Sequence, residues 1–208
     1  MKKLLLFIIV QSLISLSAYA DVFSYPVKNE DIANIEKTIP QPKILKTDFR
    51  QTKKINGLQK DLNSSGKMIY AKEKGFYWKI NKPFEVTYIF TPKGLIQIEN
   101  DEKKLIPAES NAFFNEFSGI LQSIFSGKYE QLSKHFDVFF VREGKRWTLG
   151  LRPTNKTVKG VITEISVTGS QNTENILFKE SNGDSTKIQL YNLGKSQLTD
   201  AENNYFNY

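Results

Sequence analysis

Catalysis and metal binding need nucleophiles, acids, bases or ligands, and this chain is poor in them. Its 208 residues include one histidine, His135, and no cysteine. A thiolate nucleophile, a thiolate metal site and a disulfide are therefore excluded. His135 stands near a helix end before Phe136 with no second histidine at ligand spacing, which reads as structural rather than catalytic. No nucleophile-elbow pattern, phosphate-cradling glycine loop or calcium-loop acidic run occurs, so neither a metal nor a cofactor is expected. Asn182-Gly183-Asp184 reads as a hairpin turn, and Asp101-Glu102-Lys103-Lys104 as a mixed-charge turn. Paired carboxylates brought together from distant strands leave a lipid or glycan hydrolase as the least supported reading, and the expectation is that the protein is not an enzyme.

The chain is rich instead in rings, with 15 phenylalanines and 9 tyrosines. Their spacing defines the elements. Ile32, Ile35 and Ile39 form one apolar stripe over Asn29 to Ile39, with Asn29 available as a cap and Pro40 and Pro42 as stops. Strand signals follow at Leu45 to Lys53, Gly66 to Ala71, Phe76 to Ile80, Phe84 to Thr91 and Leu95 to Glu99. Within them Leu45, Thr47 and Phe49 share a face, as do Phe76, Trp78 and Ile80. Phe84, Val86, Tyr88 and Phe90 form a further set.

The period then changes. Ser110 to Phe125 has helical spacing with a broad apolar face, Ser126-Gly127 ends it, and Tyr129 to Phe136 reads as more helix. Strands resume at Asp137 to Arg142, Arg146 to Leu151, Val158 to Thr168, Ile176 to Glu180 and Thr186 to Asn192. About ten strands joined by short turns predict a curling antiparallel sheet, with helices in two places to cover its aromatic face.

Lys2 and Lys3, the mostly apolar run Leu4 to Leu16 and the small residues of Ala18-Tyr19-Ala20 predict an export signal over residues 1–20, cut after Ala20. The run is too short and interrupted for a permanent anchor. Position 21 is Asp21, so no cysteine is there to carry a lipid. Residues 21–208 suit one domain with one core. The formal charge of +7 is scattered among acidic residues. That favours a solvated surface with weak attraction to an anionic membrane, and nucleic acid is not an expected partner outside the cytoplasm.

The order of motifs carries a resemblance. Phe49-Arg50-Gln51, then Ser65-Gly66, Gly75-Phe76-Tyr77-Trp78 and Lys82-Pro83-Phe84, are similar to the opening motifs of the periplasmic outer-membrane lipoprotein carrier family, the LolA-like proteins. Thr91-Pro92-Lys93-Gly94-Leu95, Leu149-Gly150-Leu151-Arg152-Pro153, the hairpin at Ser181 to Asp184 and Thr186 to Asn192 continue the match in order, from about Ile44 to Phe206. The resemblance implies a mainly β fold with a helical lid, an incomplete antiparallel β-barrel covering an apolar cavity. It implies a soluble periplasmic carrier for the acyl chains of a lipoprotein or another lipid, moving cargo from the inner toward the outer membrane. A membrane donor protein, an acceptor protein, transient membrane contact and a monomeric state go with it. The alternative on the same fold is a non-transporting module that grips or senses a polypeptide.

On this reading Phe49, Phe76, Trp78, Val86, Tyr88 and Phe90 face inward from the sheet, and Phe113, Phe117, Leu121 and Ile124 from the lid. A concave sheet and a filled core show the same alternation, so these positions serve either a cavity or plain packing. Family members carry an arginine a few residues before the tryptophan that helps hold the lid shut. Alignment on Trp78 places Lys72 there with Lys74 nearby, so the latch is altered, and both lysines are rim candidates for an anionic headgroup or the lid carbonyls.

Overall fold

The computed structural model describes residues 21–91, 94–107, 112–194 and 197–207, with the side chains of 112–117 outside that description. The expected export signal at 1–20, the Pro92-Lys93 turn and the start of the helix expected from Ser110 lie outside the described residues.

Alternating apolar positions place the strands. β1 (Ile44–Lys54) buries Leu45, Thr47 and Phe49 on one face, and β2 (Leu62–Ala71) turns Met68 and Tyr70 to the same side. β3 (Gly75–Lys82), β4 (Val86–Thr91), β5 (Gly94–Glu99) and β6 (Glu102–Pro107) continue the meander. After the helices come β7 (Phe136–Glu143), β8 (Arg146–Pro153), β9 (Ile162–Gly169), β10 (Thr173–Glu180) and β11 (Ser185–Tyr191). All pair antiparallel in one 11-stranded sheet, in the order β6-β5-β4-β3-β2-β1-β11-β10-β9-β8-β7. The edges β6 and β7 do not pair, so the sheet is mostly β structure curled but unclosed.

The strand β6 replaces the expected mixed-charge turn. Asn100 and Asp101 have positive φ (49° and 64°) and make a two-residue hairpin loop, so Glu102, Lys103 and Lys104 fall on the strand beyond it. Charge breaks the apolar alternation there because an edge strand faces water and like edges must be kept apart. Three other expectations are corrected. Phe136 opens β7 instead of ending a helix. Val158 sits in a short helix capped by the Asn155 side chain, which accepts from the Thr157 N–H at 2.7 Å. Phe84 lies in the turn before β4, exposed, and not on the face of Val86, Tyr88 and Phe90.

Five short α-helices are described: α1 (Ile32–Thr38), α2 (Ala112–Ser126), α3 (Tyr129–Leu132), α4 (Lys156–Lys159) and α5 (Asp200–Asn204). Asn29 opens a 3-10 turn ahead of α1 and does not cap it. Gly127, at φ +71°, ends α2 in a conformation that a side chain would strain. Residues of the first four helices join one buried cluster with the concave face, including Ile32, Ile35, Ile120, Ile124, Leu132 and Val158.

One sheet edge and the convex face each carry an added segment. The β7 edge takes a short N-terminal segment, with the Val27 N–H donating to Val138 O at 2.8 Å and the Phe140 N–H to Tyr25 O at 3.0 Å. On the convex face α5 is fastened by Lys46 to Glu202 (2.6 Å) and by the stacking of Tyr205 on Tyr77 at 4.4 Å. A capping box between Thr199 and Glu202 starts that helix.

Gly66 marks where the sheet bends. The pairing of β2 with β3 shifts between Ser65 and Gly66, opposite Lys82 and Ile80, and a Cβ at Gly66 would collide with the Lys79 carbonyl. Gly66→Val is therefore expected to destabilise the protein by about 2 kcal/mol or more. A urea midpoint equal to wild type would show that the bend tolerates a side chain.

Candidate functional site

Register assembles the aromatic face. Tyr70 lies opposite Phe76 and Phe76 opposite Phe90; Met68 lies opposite Trp78 and Trp78 opposite Tyr88; Gly66 and Val86 flank Ile80. Phe49 lies opposite Gly66. All six sheet positions predicted to face inward thus share the concave side.

Burial divides them into two groups. Phe49, Phe76 and Trp78 are buried, whereas Val86, Tyr88 and Phe90 are only partly covered. Phe49 and Trp78 meet at 4.3 Å between ring centroids, and Tyr70 meets Phe76 at 4.9 Å. Phe125 of α2 closes over both, at 5.7 Å from Tyr70 and 5.4 Å from Phe76. Over β1 to β3 the face is therefore filled by rings and by the C-terminal half of α2, where Leu121 and Ile124 are buried. Toward β4 the cover thins. Phe113 and Phe117 belong to the first half of α2, and their side chains lie outside the described residues.

Tyr70 and Phe125 were not among the predicted inward residues. The signal for Tyr70 was its alternation with Met68; Phe125 lay in the helical apolar run but has no mark separating it from its neighbours. The Tyr70 hydroxyl lies near that of Ser126, and both are buried without a hydrogen bond of good geometry. Burial pushes the Tyr70 phenol from its ordinary 10.0 up to about 12. Burial raises that of Tyr129 also, whose hydroxyl donates to Ile124 O at 3.3 Å.

The two rim lysines part company. Lys72 borders a cleft of about 750 Å³ outside α2 and α3, with Ser123, Ser126, Lys128, Lys134 and the exposed His135. It makes no hydrogen bond through its ammonium to any described residue. Lys74 instead donates to Asn203 Oδ1 at 3.0 Å, so it holds α5 and not the lid. Among the described residues no three His, Asp or Glu side chains converge, and no helix is long and apolar enough to cross a membrane.

The buried phenol has a consequence at high pH. In the unfolded chain Tyr70 ionises near pH 10, while in the fold it stays neutral to about 12. Its contribution is complete below pH 10 and is lost as pH rises from there to 12. Tyr70→Phe is expected to keep neutral-pH stability to within about 1 kcal/mol, since it removes an unpaired hydroxyl, and to flatten the alkaline decline. Unfolding midpoints with the same alkaline slope in both proteins would contradict this.

A family model described as "Outer membrane lipoprotein carrier protein LolA" matches residues 41–206. No curated protein sequence matches the chain. Among solved structures, a LolA superfamily protein from Nitrosomonas europaea is similar at 7% identity and a TM-score of 0.45, over 84% of this chain and 96% of that one. A putative outer membrane lipoprotein-sorting protein domain from Vibrio parahaemolyticus is similar at 12% identity and 0.44, over 89% and 98%. A chain of the Pseudomonas aeruginosa MucA/MucB complex is similar at 11% and 0.47, over 84% of this chain and 60% of that one. With strands β1 to β11 and the helices between them inside the matched range, this chain belongs to the outer membrane lipoprotein carrier protein LolA family.

Proposed function

We propose that the protein is a periplasmic carrier that takes acyl chains of a lipoprotein or another lipid onto its concave face and shuttles them toward the outer membrane. The observation that carries this is the family match over 41–206, which spans the whole sheet. The partly covered side of the face, at Val86, Tyr88 and Phe90, is the place where hydrocarbon meets rings without displacing the packed floor. The same proposal assigns Phe113 and Phe117 of the lid helix to the acyl contacts. Lys72, free on the neighbouring cleft, serves a headgroup, while Lys74 serves the fold. The role proposed for this face is binding and release.

The physical need for such a carrier is large. Each methylene buried in a bilayer is worth about 0.8 kcal/mol. A chain of roughly sixteen carbons is thus held by about 10 kcal/mol or more, and escape into water is very slow. A protein that offers rings in place of water lowers that barrier without any chemical step.

Displacement of a fluorescent fatty acid tests the reading. The wild-type protein is expected to bind the probe, and Phe90→Asp to weaken binding about tenfold or more by placing a charge among the acyl contacts. Mass spectrometry of protein from its native compartment is expected to show bound lipid. No probe binding, no extracted lipid and a single captured polypeptide would replace the carrier by the module that grips a protein.

A further inference from the structure

The cleft of about 750 Å³ outside α2 and α3 is bordered by one helix face, one helical segment and one turn. From α2 come Gly119, Gln122, Ser123 and Ser126, which recur at three and four residues and so share one side of the helix. These four positions carry no large apolar side chain, and a Cβ at Gly119 would meet nothing within 4 Å. Behind them Ile120, Leu132 and Phe136 belong to the main core. Lys128 stands at the start of α3, and Lys134 and His135 lie just past its end. The β2–β3 turn adds Lys72 and Glu73.

Three ammonium groups thus border the cleft against one carboxylate. Lys72, Lys128 and Lys134 make no ion pair with a described residue. The other carboxylates of the adjoining elements are not part of the lining. Glu36 on α1 accepts from the Glu130 N–H at 2.9 Å, and the exposed Glu130 lies toward that helix. Asp137 alternates with Phe136 on β7 and so takes the opposite side of the sheet. Glu116, the one charged residue of α2, falls in the half whose side chains lie outside the described residues. Within the lining the excess is positive.

A second observation concerns the floor. Ser126 is 2% exposed and its hydroxyl is buried without a hydrogen bond of good geometry, while Ser123, one turn earlier, is 8% exposed. A buried hydroxyl left unpaired asks for a partner, and an oxygen-rich ligand seated there supplies one. The nearby carbonyls of α2 are already used: Ser123 O accepts from the Lys128 N–H at 3.2 Å and Ile124 O from the Tyr129 hydroxyl at 3.3 Å. Compact ammonium charges from three points, with hydroxyl donors beneath, suit an anion with several oxygens, and the volume is that of a small-molecule site. We propose that this cleft binds a phosphate group, held by Lys72, Lys128 and Lys134 over Ser123 and Ser126, with Glu73 facing a hydroxyl or ammonium arm of the same molecule. The phosphate belongs to a small soluble ester or to a lipid headgroup, and only the second source rests on the carrier reading.

Titration calorimetry with amide-shift mapping tests it. The probes are inorganic phosphate, glycerol 3-phosphate and monomeric dihexanoylphosphatidylglycerol. Saturable binding is expected, weakening as salt rises, with shifts centred on Gly119 to Lys128. Lys128→Ala with Lys134→Ala should weaken it about tenfold or more, and Glu73→Gln should tighten it about twofold by removing a like charge. Gly119→Glu fills open space with a better helix former, so binding should be lost while the unfolding midpoint holds or rises. Lipid binding about tenfold tighter than glycerol 3-phosphate assigns the site to a headgroup, and equal affinity assigns it to a soluble ester. A wild-type protein that binds none of the three probes, or a Lys128, Lys134 double variant that binds them like wild type, overturns the site. Neither lysine belongs to the acyl surface, so fatty-acid probe affinity should not change in that variant. Phosphate binding with no fatty-acid binding supports the cleft site and counts against the carrier reading alone.

Discussion

The contact of Phe125 with Tyr70 and Phe76 joins two layers that have no covalent link. A curled antiparallel sheet buries one aromatic side only if something covers it, and no disulfide is available to hold a cover in place. Three rings from β2, β3 and α2 provide that hold, each pair worth about 0.5–1.5 kcal/mol beyond the area it buries. Phe125 pins the C-terminal end of α2 over β1 to β3, where the floor is closed, while Val86, Tyr88 and Phe90 on β4 are only partly buried. The division between structural rings and candidate binding rings follows from where this one contact falls.

An open sheet of eleven strands carries two unpaired margins, and each is treated differently. At β7 the N-terminal segment supplies backbone partners, and the Arg152 guanidinium lies over Phe23 and Phe139 at 4.4 and 5.2 Å while bonding Glu164. Burial opposes ionisation of Glu164, yet Lys179 and Arg152 outweigh it and hold the carboxyl below its ordinary range. At β6 no segment is added among the described residues, and charged side chains keep the edge in water.

The convex side has its own small apolar strip, Ile69, Ile89 and Ile96, in register across β2, β4 and β5. The C-terminal helix is tied to this side by Lys46, Lys74 and Tyr77. Lys74 is thereby withdrawn from any headgroup role, and Lys72, two residues away on the same turn, is left to the helical side. Neighbours in sequence serve opposite faces because a tight hairpin turn sends successive side chains in different directions.

The sequence by itself determined the class of fold, the order of nearly all strands and the face that Phe49, Phe76, Trp78, Val86, Tyr88 and Phe90 share, because alternation and turn residues are local properties of the chain. The family could be read there too, from short motifs whose order is preserved. It did not disclose β6, whose charges mimic a turn, nor the helix around Val158, nor α5, which is too short for a periodic signal. Only the tertiary structure decided which of the aligned rings are packed and which are half-open, and which lysine is already bonded. Those outcomes depend on where α2 and α5 come to rest, on contacts between residues up to 156 positions apart. Local pattern fixes the side on which a residue lies, and only the packing of distant segments settles what lies against it.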